Sequence, residues 1–317
     1  MRVLVSGATG FVGPYLCKHL LAQGDVVSAF PLGGPDALPT SVVSLDVDIR
    51  DMAAVRQVME KVQPEAVYHL AAVSSIAVAQ ANPRLTFEIN VVGTYNLFEA
   101  AMRIPKPPRI LNVSTSQVYS DEVCPITEDS PLCPANPYAA SKAMAEQVAT
   151  FFADADYMTV RPFNHSGPGQ TTDFVLSSFA AQIVEMEAGL RPAMLQVGDI
   201  AVERDFLDVR DVVSAYRLLI ERGRRGQVYN LASGTTYSIG SILEMFRAFT
   251  PVKFDIQVIP SRQRPGQRQR ISADPAKLEA DTGWHPRIPL QTTLCDVLAY
   301  WRAVQEKAPV SVHRTGS

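Results

Sequence analysis

The stretch Arg2-Val3-Leu4-Val5-Ser6-Gly7-Ala8-Thr9-Gly10-Phe11-Val12-Gly13 decides the fold class of this 317-residue chain. It opens with an apolar run typical of a buried strand, continues with three glycines spaced Gly-x-x-Gly-x-x-Gly, and leads into a helical pattern over residues 12–23. Glycines in such a strand–turn–helix unit permit a tight turn and let a pyrophosphate approach the helix N-terminus. The motif therefore predicts a dinucleotide site.

The first half of the chain alternates short apolar strands with helical patterns. Strands are predicted at residues 2–6, 25–30, 42–46, 66–70, 109–114 and 157–161, with further helices at 52–62, 86–102 and 138–152. Because the strands are apolar throughout instead of alternating, they predict a parallel sheet covered by helices on both faces. We expect an α/β fold with a doubly wound, Rossmann-type parallel sheet.

The second half is less regular and predicts a smaller α/β lobe. Helices are expected at residues 174–187, 209–221, 238–249 and 275–281, and strands at 193–197, 204–207, 228–231 and 255–259. We therefore predict a dinucleotide-binding domain over residues 1–165, a lobe over 166–302 with some chain crossing back to the first sheet, and a flexible tail over 303–317.

Composition excludes several function classes. Charged residues make up 19% of the chain and the net charge is −3. The chain therefore lacks the excess positive charge that binding to nucleic acid or to an anionic membrane requires. No apolar run reaches 18 residues, so no membrane span is expected, and we predict a cytoplasmic protein. The four cysteines form no CxxC pair and no metal-finger spacing; we expect buried thiols and no metal site. They are Cys17, Cys124, Cys133 and Cys295.

A Tyr and a Lys four residues apart point to proton transfer. Tyr138 and Lys142 share one face of a predicted helix, about one turn apart. A nearby ammonium is expected to lower the pKa of the phenol, which suits an acid–base group for an alcohol–ketone pair. Thr115 lies at the carboxyl end of the strand 109–114, where ligands bind in open parallel sheets. We predict that Thr115 hydrogen-bonds the same substrate oxygen as Tyr138.

The sequence does not indicate which of the two nicotinamide coenzymes, NAD or NADP, would bind. After the second strand the sequence reads Ala29-Phe30-Pro31, with neither an acid for the ribose hydroxyl nor an arginine for a 2′-phosphate. Asp48 and Ile49, just after the third strand, are candidate adenine contacts, the carboxylate for the amine and the aliphatic side chain for the ring face. A solvated loop acid is the alternative for Asp48.

Taken together, the motifs resemble the extended short-chain dehydrogenase/reductase family that acts on nucleotide sugars. They are Gly-x-x-Gly-x-x-Gly, Thr115 before Val118-Tyr119, Tyr138-x-x-x-Lys142 and Arg161-Pro162-Phe163-Asn164. The stretches 161–170 and 204–211 look most like the GDP-mannose branch. The resemblance spans about residues 1–302. It implies NAD or NADP in the Rossmann domain, a GDP-sugar in the lobe, and a homodimer built from the helices 86–102 and 138–152.

The resemblance also implies roles for further residues. Asn90 would stand behind Tyr138 and Lys142, His165 would be structural and not a base, and Arg268 is a weaker candidate ligand than Arg264. The implied cofactor contacts are Gly7, Gly10, Phe11, Val12, Gly13, Asp48, Ile49, Leu70, Ala71, Ala72, Tyr138, Lys142 and Phe163. The implied substrate contacts are Thr115, Gln117, Asn164 and the two diphosphate-binding arginines, Arg204 and Arg264.

Gln117 separates the reactions known in the resembling family. Dehydratases carry a Glu at the matching position to remove the C5 proton, and GDP-sugar epimerases carry a Cys there. An amide is not a base near neutral pH, so hydride transfer remains. The sequence predicts reduction of the C4 ketone of GDP-4-keto-6-deoxy-D-mannose by NAD(P)H to GDP-D-rhamnose. A GDP-mannose 4,6-dehydratase and a UDP-sugar 4-epimerase are the alternatives, and a non-catalytic NAD(P)-binding protein is a further one.

Overall fold

The computed structural model describes residues 1–30, 38–120, 124–260 and 269–307. The chain divides into two compact units. The first comprises Met1–His165, Asp205–Thr236 and Arg270–Arg287, and the second comprises Ser166–Arg204, Tyr237–Gln269 and Ile288–Ser317.

The core of the first unit is a seven-stranded sheet in which every neighbouring pair is parallel. The strands are β1 (Arg2–Ser6), β2 (Val26–Phe30), β3 (Val43–Ser44), β4 (Ala66–His69), β5 (Arg109–Val113), β6 (Tyr157–Pro162) and β10 (Val228–Leu231). Their order in the sheet is β10-β6-β5-β4-β1-β2-β3. The reversal of this order beside β1 is the switch point at which doubly wound folds bind ligands.

Helices cover both faces of this sheet, as the uniformly apolar strands predict. Alternate residues of β1 enter different cores: Val3 and Val5 pack with one group of helices, whereas Leu4 packs with the other. The first group is α1 (Val12–Ala22), α8 (Val209–Arg222) and α10 (Ala276–Thr282). The second is α2 (Met52–Val62), α5 (Gly93–Arg103) and α6 (Pro137–Thr150). Two short helices, α3 (Ile76–Ala81) and α4 (Pro83–Phe87), precede α5.

The second unit is mainly helical in its described residues. It holds α7 (Val175–Glu187), α9 (Ile239–Arg247), α11 (Leu290–Lys307) and the parallel strands β8 (Met194–Val197) and β12 (Asp255–Val258). Glu187 on α7 receives two hydrogen bonds from Arg302 on α11, at 2.7 and 2.8 Å. The short strands β7 (Asn164–Ser166), β9 (Glu203–Asp208), β11 (Thr236–Ser238) and β13 (Arg270–Ile271) occur where the chain passes between the units.

The structure differs from the predicted elements at several places. The predicted helix 86–102 is interrupted by a π-helical turn over Glu88–Val92, and the third strand shrinks to two residues. Helix α11 runs on to Lys307, so the first five residues of the expected tail are helical, consistent with their strong helix formers. Only Cys17 is buried and the other three cysteines are exposed, so the expectation of buried thiols is wrong for three of four. Residues 308–317 lie outside the described residues.

The turn between β1 and α1 is packed so closely that side chains do not fit. Gly7 has φ +69°, and a Cβ on it would stand 2.7 Å from the backbone of Ala71. A Cβ on Gly13 would stand 2.1 Å from the carbonyl oxygen of Ala8. The turn closes with a hydrogen bond from Gly10 N to Gly7 O at 3.2 Å. The outer two glycines are therefore fixed by protein packing, whereas Gly10 leaves its side open.

We expect Gly13→Ala to lower the free energy of unfolding by roughly 1–3 kcal/mol, because the added methyl meets backbone atoms and forces α1 away from the turn. Chemical denaturation at constant pH measures the difference. Gly240→Ala on α9 is the control, since a Cβ there has ordinary contacts of 3.5 Å or more. Equal stability of wild type and Gly13→Ala would contradict the packing argument.

Candidate active site

Two neighbouring elements bring Thr115 and Tyr138 together. Helix α6 begins at Pro137, and Asn136 caps it by accepting a hydrogen bond from Ala139 N at 2.9 Å. This places Tyr138 in the first helical turn. Thr115 follows β5 and accepts a hydrogen bond from Gln117 N at 3.2 Å. The Thr115 side chain lies close enough to the Tyr138 hydroxyl to act on its pKa, so both can face one substrate oxygen.

The phenol of Tyr138 is protonated at neutral pH. Burial raises its pKa, and the hydrogen bond from Thr115 offsets this only in part. The expectation that Lys142 lowers this pKa is therefore not met in the cofactor-free protein: burial penalises the phenolate and dominates. A protonated phenol is the form that a proton donor requires.

Lys142 is almost completely buried one turn further along α6, with 4% of its surface exposed. Burial lowers its pKa to about 8, and the Glu146 carboxylate acts in the opposite direction. Glu146 itself binds the Arg161 guanidinium through two hydrogen bonds, at 2.6 and 3.0 Å, and accepts a third from Ser114. Since Arg161 neutralises most of this carboxylate, burial decides the direction for Lys142.

Asn90 joins α6 to the loop after β4. Its Oδ1 accepts from Val73 N at 2.8 Å, and its Nδ2 donates to Val73 O at 3.2 Å and to Ser141 Oγ at 2.8 Å. Ser141 Oγ in turn donates to the Tyr138 carbonyl at 2.7 Å. The structure thus places Asn90 behind the helical turn that carries Tyr138. The π-helical turn, a feature often found at functional sites, carries this amide.

The glycine turn fits a dinucleotide. Helix α1 starts at Val12 without any side-chain cap on its first N–H groups, and the space beside Gly10 is open. Gly7 lies against Leu70 and Ala71, which brings the predicted 70–72 segment to the edge of the turn. Uncapped N–H groups at a helix N-terminus are the partners that a pyrophosphate takes.

Three predicted cofactor contacts already have protein partners. Asp48 receives hydrogen bonds from Arg50, including one to Oδ2 at 2.6 Å. Ile49 is buried in the core against Gly93, and a Cβ on that glycine would lie 2.7 Å from Ile49 Cγ2. Phe163 is buried and stacked on Tyr119 with ring centroids 6.4 Å apart. Adenine or nicotinamide contacts from these side chains remain predictions.

The predicted substrate residues are placed as follows. Gln117 is exposed just beyond Thr115, and Asn164 Nδ2 donates to Asp205 O at 3.2 Å. His165 Nδ1 lies 3.0 Å from Phe163 O, and its ring stacks on Phe11 with ring centroids 6.0 Å apart; its structural role remains a prediction. In the second unit, the buried Arg204 donates to Glu203 O at 2.7 Å and to Gln269 O at 3.4 Å. Arg264 and Arg268 lie outside the described residues.

Several polar residues at the site escaped sequence reasoning. Glu146 and His69 lie outside the motifs that we analysed, and Ser141 lies inside Tyr138-x-x-x-Lys142 without a role having been assigned to it. The available signal was spacing: Glu146 follows Lys142 by four residues, and His69 ends a strand directly before Leu70. No group of three or more His, Cys, Asp or Glu side chains able to hold a metal occurs in the described residues. Within them, too, no helix is long and apolar enough to cross a membrane.

This Rossmann fold with its Thr, Tyr and Lys defines a short-chain dehydrogenase/reductase of the extended type. The model of the GDP-mannose 4,6 dehydratase family matches residues 4–297, and the chain belongs to that family. It is 35% identical to the GDP-6-deoxy-D-mannose reductase of Pseudomonas aeruginosa, over 95% of this chain and 97% of the relative.

Solved structures agree with this assignment. The structure of RMD from Pseudomonas aeruginosa complexed with NADPH superimposes with a TM-score of 0.81 at 34% identity, covering 96% of this chain and 100% of the other. The UDP-glucose 4-epimerase of Thermus thermophilus, in complex with NAD, gives a TM-score of 0.84 at 29% identity, covering 95% and 99%. Nicotinamide nucleotides are therefore the cofactors of this family.

We expect Lys142→Met to stabilise the cofactor-free protein most below about pH 8. There the wild type carries a buried ammonium, which costs about 3 kcal/mol because the pKa is about 8 when folded against 10.5 normally. Wild-type stability should rise as Lys142 deprotonates, so the advantage of the variant shrinks by that amount up to about pH 10.5.

Chemical denaturation of both proteins over this pH range measures the difference. Lys18→Met is the control: Lys18 is exposed on α1, so its substitution should shift stability equally at every pH. A pH-independent difference for Lys142→Met would contradict the buried ammonium.

Proposed function

We propose that the protein reduces the C4 ketone of GDP-4-keto-6-deoxy-D-mannose, with NAD(P)H as co-substrate, to give GDP-D-rhamnose. The observation that carries this proposal is the buried, protonated Tyr138 beside Thr115, together with an amide and not a carboxylate at position 117. A protonated phenol suits proton donation to a ketone, whereas elimination of water needs a base.

Three side chains have separate roles in the reduction. NAD(P)H, held at the glycine turn, supplies a hydride when bound. Tyr138 donates its proton to the ketone oxygen as negative charge develops there, and Thr115 donates a hydrogen bond to the same oxygen, a contact that strengthens in the transition state. The Lys142 ammonium stabilises the resulting phenolate until solvent returns the proton. Overall, one ketone, one hydride and one proton give one alcohol.

Gln117 argues against the dehydratase alternative. Dehydration of GDP-mannose requires removal of the C5 proton, and an uncharged amide cannot take it at neutral pH. Gln117 can hydrogen-bond a sugar hydroxyl, and we assign it and Asn164 to sugar positioning. A dehydratase or a 4-epimerase would return its cofactor to the starting redox state in every turnover, so net consumption of NAD(P)H distinguishes the proposed reductase from both.

We expect the purified protein to oxidise NADPH or NADH when GDP-4-keto-6-deoxy-D-mannose is added, and Tyr138→Phe to lower turnover on the order of 10²–10⁴-fold because only the proton donor is lost. Absorbance of the reduced cofactor and mass spectrometry of the sugar product measure both. With GDP-mannose and oxidised cofactor, we expect no loss of water. Efficient water loss would favour the dehydratase and overturn the proposal, as would normal turnover by folded Tyr138→Phe.

We assign Arg204 and Arg264 to the diphosphate of the GDP-sugar, since guanidinium groups pair well with phosphate oxygens. We expect Arg204→Ala and Arg264→Ala each to weaken GDP binding by roughly 2–3 kcal/mol and to leave NADPH binding unchanged. Isothermal titration calorimetry measures both constants. Arg191→Ala, which removes the ion pair with Glu185, is the control. An unchanged dissociation constant for GDP removes that arginine from the site.

We further propose a homodimer formed through α5 and α6. These helices pack side by side, with Tyr95 and Phe152 ring centroids 5.6 Å apart. Three large apolar side chains on or directly after these helices are exposed: Tyr95 on α5 at 45%, Met144 on α6 at 50% and Phe151, directly after α6, at 68%. Exposed apolar side chains of this size suit an interaction site, and a second copy offers the same face.

We expect light scattering to give twice the chain mass of 34.6 kDa for the wild type and the single-chain mass for Phe151→Glu, because a buried unpaired carboxylate opposes association. Leu190→Glu is the control: Leu190 is 65% exposed in the other unit and should not alter the mass. A monomeric wild type would exclude the dimer.

A further inference from the structure

His69 is a buried histidine at the carboxyl end of β4, and both of its ring nitrogens have hydroxyl partners. Nδ1 lies 2.8 Å from Ser6 Oγ, and Nε2 lies 2.8 Å from Thr94 Oγ1. Only 1% of the residue is exposed. These contacts join three elements, β1, β4 and α5, behind the proposed catalytic helix.

The hydrogen-bond directions fix the tautomer. Thr94 Oγ1 donates its single proton to Asn90 O at 2.6 Å, so it must accept from His69 Nε2–H. The imidazole therefore carries its proton on Nε2 if neutral, and Nδ1 accepts from Ser6 Oγ–H. Ser6 Oγ in turn accepts from Ala71 N at 3.2 Å. Every donor and acceptor in this chain is satisfied by a neutral Nε2–H ring.

Asn90 connects these hydrogen bonds to the catalytic helix. Its backbone carbonyl accepts from Thr94, and its side-chain Nδ2 donates to Ser141 Oγ, which donates to the Tyr138 carbonyl. At the other end of these hydrogen bonds, Ala71 lies against the backbone of Gly7. A continuous path thus runs from the glycine turn, through His69, to the first turn of α6.

The geometry points to His69 as a positioning residue, which as a neutral Nε2–H imidazole ties the glycine turn to the helix that carries Tyr138 and Lys142. This inference rests on the proposed function. In this role, His69 fixes the position of the hydride donor relative to the proton donor. Displacement of a reacting group by about 1 Å can cost on the order of 10²-fold in rate.

Charge near the ring is consistent with a neutral imidazole. Burial lowers the pKa of His69 to about 3, and the Lys142 ammonium acts in the same direction. Its other neighbours, Ser6, Thr94 and Asn90, carry no charge. A charged imidazole would repel the Lys142 ammonium, which the reaction needs. A neutral ring avoids this repulsion and still makes both of its hydrogen bonds.

The test combines kinetics with a measurement that needs no activity. We expect His69→Ala to lower kcat about 10²-fold, with KM for the keto sugar nearly unchanged, at temperatures well below its unfolding transition. Tyr68→Phe is the control, since Tyr68 points into the core on the opposite face of the sheet. If wild type reduces the keto sugar and His69→Ala does so equally fast, the inference is overturned; if wild type does not reduce it, the proposed function fails instead.

Double variants separate positioning from loss of stability. We expect Thr94→Val to slow the wild type but to have no further effect in the His69→Ala background, because the two act through one chain. Fully additive effects would overturn the inference. Should His69→Ala not fold, ¹⁵N-histidine NMR of the wild type decides: we expect a neutral Nε2–H ring from about pH 5 to about pH 8. An Nδ1–H tautomer or an imidazolium in that range would overturn it.

Discussion

The exclusion of side chains from the turn between β1 and α1 is the constraint on which the rest of the site depends. At Gly7 and Gly13 the backbones of the turn, of the segment after β4 and of α1 approach so closely that a Cβ has no room. This packing puts Ala71 beside the turn. The first N–H groups of α1 follow directly, and they are backbone donors of the kind that a pyrophosphate takes.

Near this turn, buried polar groups of the first unit form hydrogen bonds with one another. His69 contacts Thr94, Thr94 donates to the Asn90 carbonyl, and the Asn90 side chain donates to Ser141, whereas Ser114 and Arg161 both donate to Glu146. Such networks are costly when incomplete and rigid when complete. Burial lowers the pKa of Lys142 to about 8, and the Glu146 carboxylate, which is paired with Arg161, acts in the opposite direction.

The order of the strands beside β1 explains why the reactive groups meet. Thr115 follows β5 and Ala71 follows β4, and these strands are neighbours in a parallel sheet, so their carboxyl ends share one edge. Tyr138 reaches the same edge because α6 starts there, fixed by the Asn136 cap.

The sequence by itself determined the parallel sheet, most strands of the first unit to within two residues, and the candidate roles of Thr115, Tyr138 and Lys142, because apolar periodicity and glycine spacing are local signals. Tertiary structure decided what depends on partners distant along the chain. Burial raises the pKa of Tyr138, Ile49 and Phe163 enter the core, and the π-helical turn interrupts the expected helix where Asn90 turns toward Val73 and Ser141. His69 shows most clearly what sequence patterns do not predict. Its hydrogen-bond partners lie 63 and 25 residues away along the chain, so only the folded structure indicates the tautomer of the ring.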